Sequence, residues 1–165
     1  MSALRGGMRC SLLAGAVLLL PACGFQLRGL KPMPEVFKVT CVQSPDDQTD
    51  FVQDLRKSLL TSGSKLTATC TDATAVVDIL TDKVVEKVLS VSARNLPREY
   101  ELTHTVRFKV SAGAKELLDA QEISGTRDYS FDETRLLAKE NEEAILRQAL
   151  ASDLANIVMR RLSSL

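Results

Sequence analysis

Tyr100-Glu-Leu-Thr-His-Thr-Val-Arg-Phe-Lys-Val110 sets Tyr100, Leu102, His104, Val106, Phe108 and Val110 on one parity and Glu101, Thr103, Thr105, Arg107 and Lys109 on the other. Successive side chains of a strand point to opposite faces, so this alternation specifies a strand with one face on a core and one in water. Working outward, a preceding strand is predicted over roughly Ala75 to Val91. Asp78, Asp82, Lys83, Glu86 and Lys87 blur its period, which predicts a bulge or break. A following strand is predicted over roughly Leu117 to Phe131, with Ile123, Tyr129 and Phe131 on one parity and Gly113 supplying the turn before it.

Toward the N-terminus, Val36-Phe-Lys-Val-Thr-Cys-Val42 is β-branched and bounded by Pro34 and by Ser44-Pro45-Asp46, so it reads as a first strand. Asp47 to Ser62 carries Phe51, Val52, Leu55, Leu59 and Leu60 at helical spacing and meets a stop at Gly63. Toward the C-terminus, Asp132 is placed to cap a helix from Glu133 to about Leu162, with acidic residues near its start and Arg160 and Arg161 near its end. Leu146, Leu150, Leu154, Ile157, Val158 and Leu162 form its apolar stripe. The expected fold is an α/β two-layer sandwich: two helices on one face of a mainly antiparallel, mixed sheet of about four strands. The first strand-helix-strand unit is expected to be a right-handed crossover between parallel strands, and the middle strands an antiparallel meander.

Residues 1–22 form a three-part export signal. Arg5 and Arg9 precede the apolar run Ser11–Leu20, which is shorter than the roughly 20 residues a transmembrane helix requires. Leu20-Pro21-Ala22-Cys23 resembles the lipobox of bacterial lipoproteins, in which the cysteine is acylated and becomes the new N-terminus. The resemblance implies a signal peptide over 1–22; Gly29, Pro32 and Pro34 then mark 23–34 as a lipidated tether, which leaves a single domain over 35–165. Acyl and diacylglycerol groups on Cys23 would be the only covalent additions, with no cofactor. Each buried methylene contributes about 0.8 kcal/mol, so two or more chains hold the protein on the membrane. Gly24 stands where lipoproteins retained in the inner membrane commonly carry Asp, which implies a periplasm-facing place on the outer membrane.

Loss of residues 1–22 leaves 19 basic against 21 acidic residues. No global field then favours nucleic acid, and an anionic ligand would need a local cluster of cations. Cys10 departs with the signal, so Cys41 and Cys70 are the remaining pair in an oxidising compartment. They either stay as two buried thiols or close a loop of about 30 residues, a bridge contributing roughly 3–4 kcal/mol in the chain-entropy account. Compartment and spacing favour the bridge. One histidine and the absence of a C-x-x-C pair point away from a metal site.

His104, on the apolar parity of its strand, reads as a core histidine, since no pattern resembling a nucleophile elbow accompanies it. Glu142 and Glu143 are adjacent on a helix and do not face one another, so they read as solvated charges. The cationic candidates are Arg94 and Arg98 in Ser92-Ala-Arg-Asn-Leu-Pro-Arg98, and Arg135 with Lys139 near the start of the last helix.

Cys23-Gly-Phe-Gln-Leu-Arg-Gly29 is similar to the C-G-[WF]-[HQ]-L-R-G opening of the LptE (RlpB) family of lipopolysaccharide-assembly lipoproteins. Arg94-Asn95, Glu99-Tyr100 and Leu137-Ala-Lys-Glu-Asn-Glu142 resemble further landmarks of that family in the same order. The resemblance implies two helices on a four-stranded sheet and no enzymatic activity. It implies a plug inside an LptD-like outer-membrane β-barrel that supports the barrel's assembly and binds lipopolysaccharide on its way to the outer leaflet. Lipopolysaccharide contact falls by resemblance on Arg94 and Lys139, although Pro97 and Arg98 alter the turn around Arg94. Two rival readings are a lipoprotein adaptor or pilot of another envelope machine and a lipid-anchored periplasmic enzyme. Purification with a barrel separates the first, and convergent titratable groups in a pocket would mark the second.

Overall fold

Pro34 opens the domain as the cap of a single 3-10 turn, Glu35–Phe37, whose Phe37 N–H donates to Pro34 O at 2.9 Å. The computed structural model describes residues 33–130 and 136–165, apart from the side chains of 136–140. The proposed signal peptide, Cys23 and most of the tether lie outside the described residues, as do Phe131, the Asp132 cap and Arg135. The first strand, β1, is Val39–Gln43, starting later than the sequence suggests because the turn drives Phe37 into the core. Helix α1 follows at Asp50–Thr61. Its cap is Thr49, whose Oγ1 accepts from Val52 N–H, while Asp46 and Asp47 are spent on the preceding loop. The helix ends at Gly63 (φ +91°), with Gly63 N–H returning to Leu60 O and Ser64 N–H to Leu59 O.

Two residues, Lys65–Leu66, form strand β2. After a 3-10 turn at Cys70–Asp72 come β3 (Ala75–Val91), β4 (Pro97–Ala112) and β5 (Lys115–Ser130), and then helix α2 (Leu136–Leu162). The order across the sheet is β2-β1-β3-β4-β5. β1 is parallel to both its neighbours, and β3, β4 and β5 form an antiparallel meander. Five strands replace the expected four. The additional one, β2, is too short to leave a period in the sequence.

β3 explains its own blurred pattern. Val77 and Ile79 stand opposite Val110 and Phe108, but the register then jumps from Ile79 to Thr81, leaving Leu80 as an extra residue. Beyond that bulge it is Asp82 and Val84 that oppose the buried Val106 and His104. Odd positions therefore face the helices before Leu80 and even positions from Asp82 to Val88 after it.

The helices cover one face of the sheet. Leu150, Ala151, Leu154, Ala155, Val158, Met159 and Leu162 of α2 are buried with Phe51, Val52, Leu55 and Leu59 of α1 and with Val106, Phe108, Val110 and Ile123 of the sheet. Gly125 allows α2 to come close, because a Cβ there would lie 3.0 Å from Leu150 Cδ2 and 3.7 Å from Leu154 Cδ2. A smaller cluster of Tyr100, Leu102, Tyr129 and Leu150, with Val84 and Leu146 against it, continues the core toward the β3–β4 turn.

Candidate functional site

The β3–β4 turn is built by Ser92 and Asn95. Ser92 N–H donates to Leu96 O at 2.7 Å, Ser92 Oγ accepts from Leu96 N–H, and Asn95 takes the left-handed conformation at φ 61°. Asn tolerates that region because its short polar side chain finds local hydrogen bonds, and a β-branched residue would be strained there. The turn holds Arg94 at its tip, exposed, and Arg98 follows one residue into β4, also exposed. Neither forms an ion pair with another described residue.

Lys139 lies in the first turns of α2, where the backbone is helical. The helix lays Leu146 and Leu150 on the Tyr100 cluster and Leu162 in the main core, so it sets out on the side of the start of β4 and runs toward the β1 end. Lys139 lies seven residues before Leu146 along that helix, and Arg94 six residues before Tyr100. The start of β4 is cross-braced by side-chain contacts. Tyr100 and Tyr129 stack with ring centroids 5.3 Å apart, and Tyr129 Oη donates to Glu86 Oε2 at 2.7 Å. Burial, and then the Glu86 carboxylate, push the Tyr129 phenol well above its ordinary range. Glu143 pairs with Arg147 one turn on, so it is less free than the solvated charge expected from the sequence, while Glu142 is exposed.

His104 is buried and receives a partner that the sequence did not reveal: its Nε2 stands 2.6 Å from Asp82 Oδ1. The Phe51 ring meets the imidazole edge-on at 6.1 Å. Nδ1 of His104 and Oδ2 of Asp82 have no hydrogen-bond partner, and no serine or cysteine nucleophile is bonded to the ring. The pair sits inside the packed layer between sheet and helices.

The structure joins Cys41 and Cys70, with Cα atoms 5.1 Å apart. The bridge ties the Cys70–Asp72 turn to β1. Beside it an open cleft of about 500 Å3 is lined by Val42, Ser44, Asp47, Arg56 and Thr67. Arg56 donates to Val42 O at 3.0 Å and to Asp47 Oδ1 at 2.7 Å, so its guanidinium is committed to the loop that it pins. No group of three potential metal ligands occurs among the described residues, and none of their helices is long and apolar enough to cross a membrane.

Comparison with known proteins bears on the whole domain. A family model described as LptE, lipopolysaccharide-assembly, matches residues 37–162. The "LPS-assembly lipoprotein LptE" of Pectobacterium atrosepticum is 24% identical over 149 residues, covering 89% of this chain and 80% of that protein. Among solved structures, lipoprotein B of Nitrosomonas europaea superimposes with a TM-score of 0.70 at 27% identity, covering 86% of this chain and 91% of that one. The rare lipoprotein B of Shewanella oneidensis gives 0.66 at 25% identity, over 76% and 94%.

Proposed function

Because the chain belongs to the LptE lipopolysaccharide-assembly family, we propose that it acts as the plug and assembly partner of an LptD-like outer-membrane β-barrel and engages lipopolysaccharide through Arg94 and Lys139. The chain is a non-enzymatic lipopolysaccharide-assembly lipoprotein of the cell envelope. The finer reading adds the barrel, the ligand contact, the signal peptide at 1–22, the acyl anchor on Cys23 and the outer-membrane placement.

One observation carries the ligand assignment: an arginine without an ion-pair partner among the described residues is presented at the tip of a hydrogen-bonded hairpin, on the side of the sheet from which α2 sets out. Lipid A phosphates are compact anions, and Arg or Lys donors engage such groups by charge-assisted hydrogen bonds. The mature chain has no net positive field, so these local donors would do the recognition. His104 and its partner Asp82 are buried in the core and face no substrate.

The test is depletion of the protein in its own host, with the folded barrel and surface lipopolysaccharide quantified in the same cells. Loss of both supports the proposal. Normal barrel folding together with normal lipopolysaccharide display refutes it. A second arm compares R94E/K139E with the unaltered protein for lipopolysaccharide binding, and unchanged binding would remove those two residues from the site.

A further inference from the structure

β3 is 17 residues long, but β1 pairs with only its first four, Ala75–Asp78. From Ile79 to Val91 the edge of β3 facing away from β4 has no neighbouring strand among the described residues. A bare edge is a row of unpaired N–H and C=O groups, and monomeric proteins blunt such rows with charge, bulges or very short strands. The sheet's other edge does this. β5 exposes Lys115, Glu116, Asp119, Glu122 and Asp128, and no large apolar side chain along it is exposed.

The β3 edge is composed differently. Leu80, Val85, Val88, Leu89 and Val91 are 37–56% exposed on it, and Leu96 in the adjoining turn is 41% exposed. Register shifts lie at Leu80 and between Val88 and Val91, so the uninterrupted run between them is Thr81–Val88. That run is about 26 Å long at about 3.3 Å per residue, the length of an ordinary strand. Opposite faces of the edge also differ in chemistry. Lys83, Val85 and Lys87 share the helix-free parity, and neither lysine forms an ion pair with a described residue. Val84 and Val88 share the parity of the core.

We infer that the Thr81–Val88 edge of β3 receives an extended strand from the barrel partner, one with acidic side chains beside Lys83 and Lys87 and apolar side chains beside Val84 and Val88. This rests on the barrel reading above and assigns it a docking element. Main-chain hydrogen bonds supply the affinity of such an addition, and the alternating side chains select the partner. The charged β5 edge is excluded as the docking edge by the same reasoning. The added strand lies in line with β1, extending the sheet where β1 stops at Gln43.

Amide hydrogen exchange on the protein alone and in its purified complex with the host's own barrel distinguishes this from side-chain contact. Strand addition bonds one parity only, so every second amide of Thr81–Val88 should slow in the complex by at least about tenfold, equivalent to about 1.4 kcal/mol. The β5 edge should be unchanged. In parallel, K83E/K87E should lower the barrel recovered with the protein about tenfold, and E122K/D128K on the β5 edge should not. A complex that forms while Thr81–Val88 exchanges at its former rate overturns the inference and leaves the barrel reading intact. Protection that instead rises with concentration of the isolated protein overturns it in favour of a second copy of this chain. Failure to recover any complex from the unaltered protein refutes the barrel reading, and the inference falls with it.

Discussion

Removing the Asp82 carboxylate by Asp82→Ala leaves the His104 ring with neither nitrogen bonded. The histidine is 3% exposed, so water does not replace the lost partner. Orphaning a buried polar group of this kind destabilises by about 1–3 kcal/mol. His104→Leu keeps most of the packing against Phe51 but strands a carboxylate whose side chain is 6% exposed, and breaking a buried pair from one side costs about 3–5 kcal/mol. The double variant D82A/H104L removes both polar groups, and apolar replacement of a whole buried pair is nearly neutral, here about 0–2 kcal/mol. The expected signature is a double variant more stable than H104L alone. Urea unfolding of the four proteins, followed by circular dichroism with a common m-value, measures it. If the double variant loses the sum of the two single losses to within about 0.5 kcal/mol, the residues are uncoupled and the account of the pair is wrong.

Gly125→Val should destabilise by about 1–3 kcal/mol by forcing Leu150 and Leu154 away from the sheet, read from the same unfolding curves; no loss would mean that α2 does not depend on that close approach. Reducing the Cys41–Cys70 bridge, or C41A/C70A, should lower stability by about 3–4 kcal/mol, and an unchanged urea midpoint under reducing agent would contradict this. Tyr129 has a raised folded-state pKa, so its contribution is fully present below the unfolded phenol value of about 10 and is lost as the pH rises through the folded value. Stability should therefore fall with rising pH above about 10 more steeply than in Tyr129→Phe, and parallel pH profiles would argue against that coupling. R94E/K139E should weaken lipopolysaccharide binding while leaving the melting temperature within about 2 °C, as expected for surface changes.

The sequence announces β4 most clearly, because buried residues alternate with more accessible ones without exception from Tyr100 to Val110. Gly63 marks the end of α1 equally well, since the left-handed closing residue demands it. Other features were hidden for identifiable reasons. β2 has only two residues, and Cys70 stands in a 3-10 turn of three. Asp82 could be matched to His104 only after the bulge at Leu80 had been placed, because that extra residue decides which parity of β3 faces inward. A strand whose apolar parity switches midway, as Val77 and Ile79 give way to Val84, is the signal that would have located it. At the hairpin, exposure of Arg94 follows from a turn of Ser, Asn and Pro. The Glu86–Tyr129 bond joins side chains 43 residues apart and depends on the register of three strands. The open β3 edge is equally invisible in one dimension, because it is set by where β1 stops.

The bulge also determines how β3 tolerates insertion and deletion. Leu80 is skipped between the pairs Ile79–Phe108 and Thr81–Arg107, so its excision would leave each of those partners, and the pairs flanking them, opposite the same residues as before. Excising Val85 would instead leave one side of the strand shifted by a position, turning either the Asp82 side or the Val88 side of the gap to the wrong face. Length variation in β3 is therefore channelled to its irregularities, at Leu80 and between Val88 and Val91, and the Thr81–Val88 run between them has a fixed number of residues.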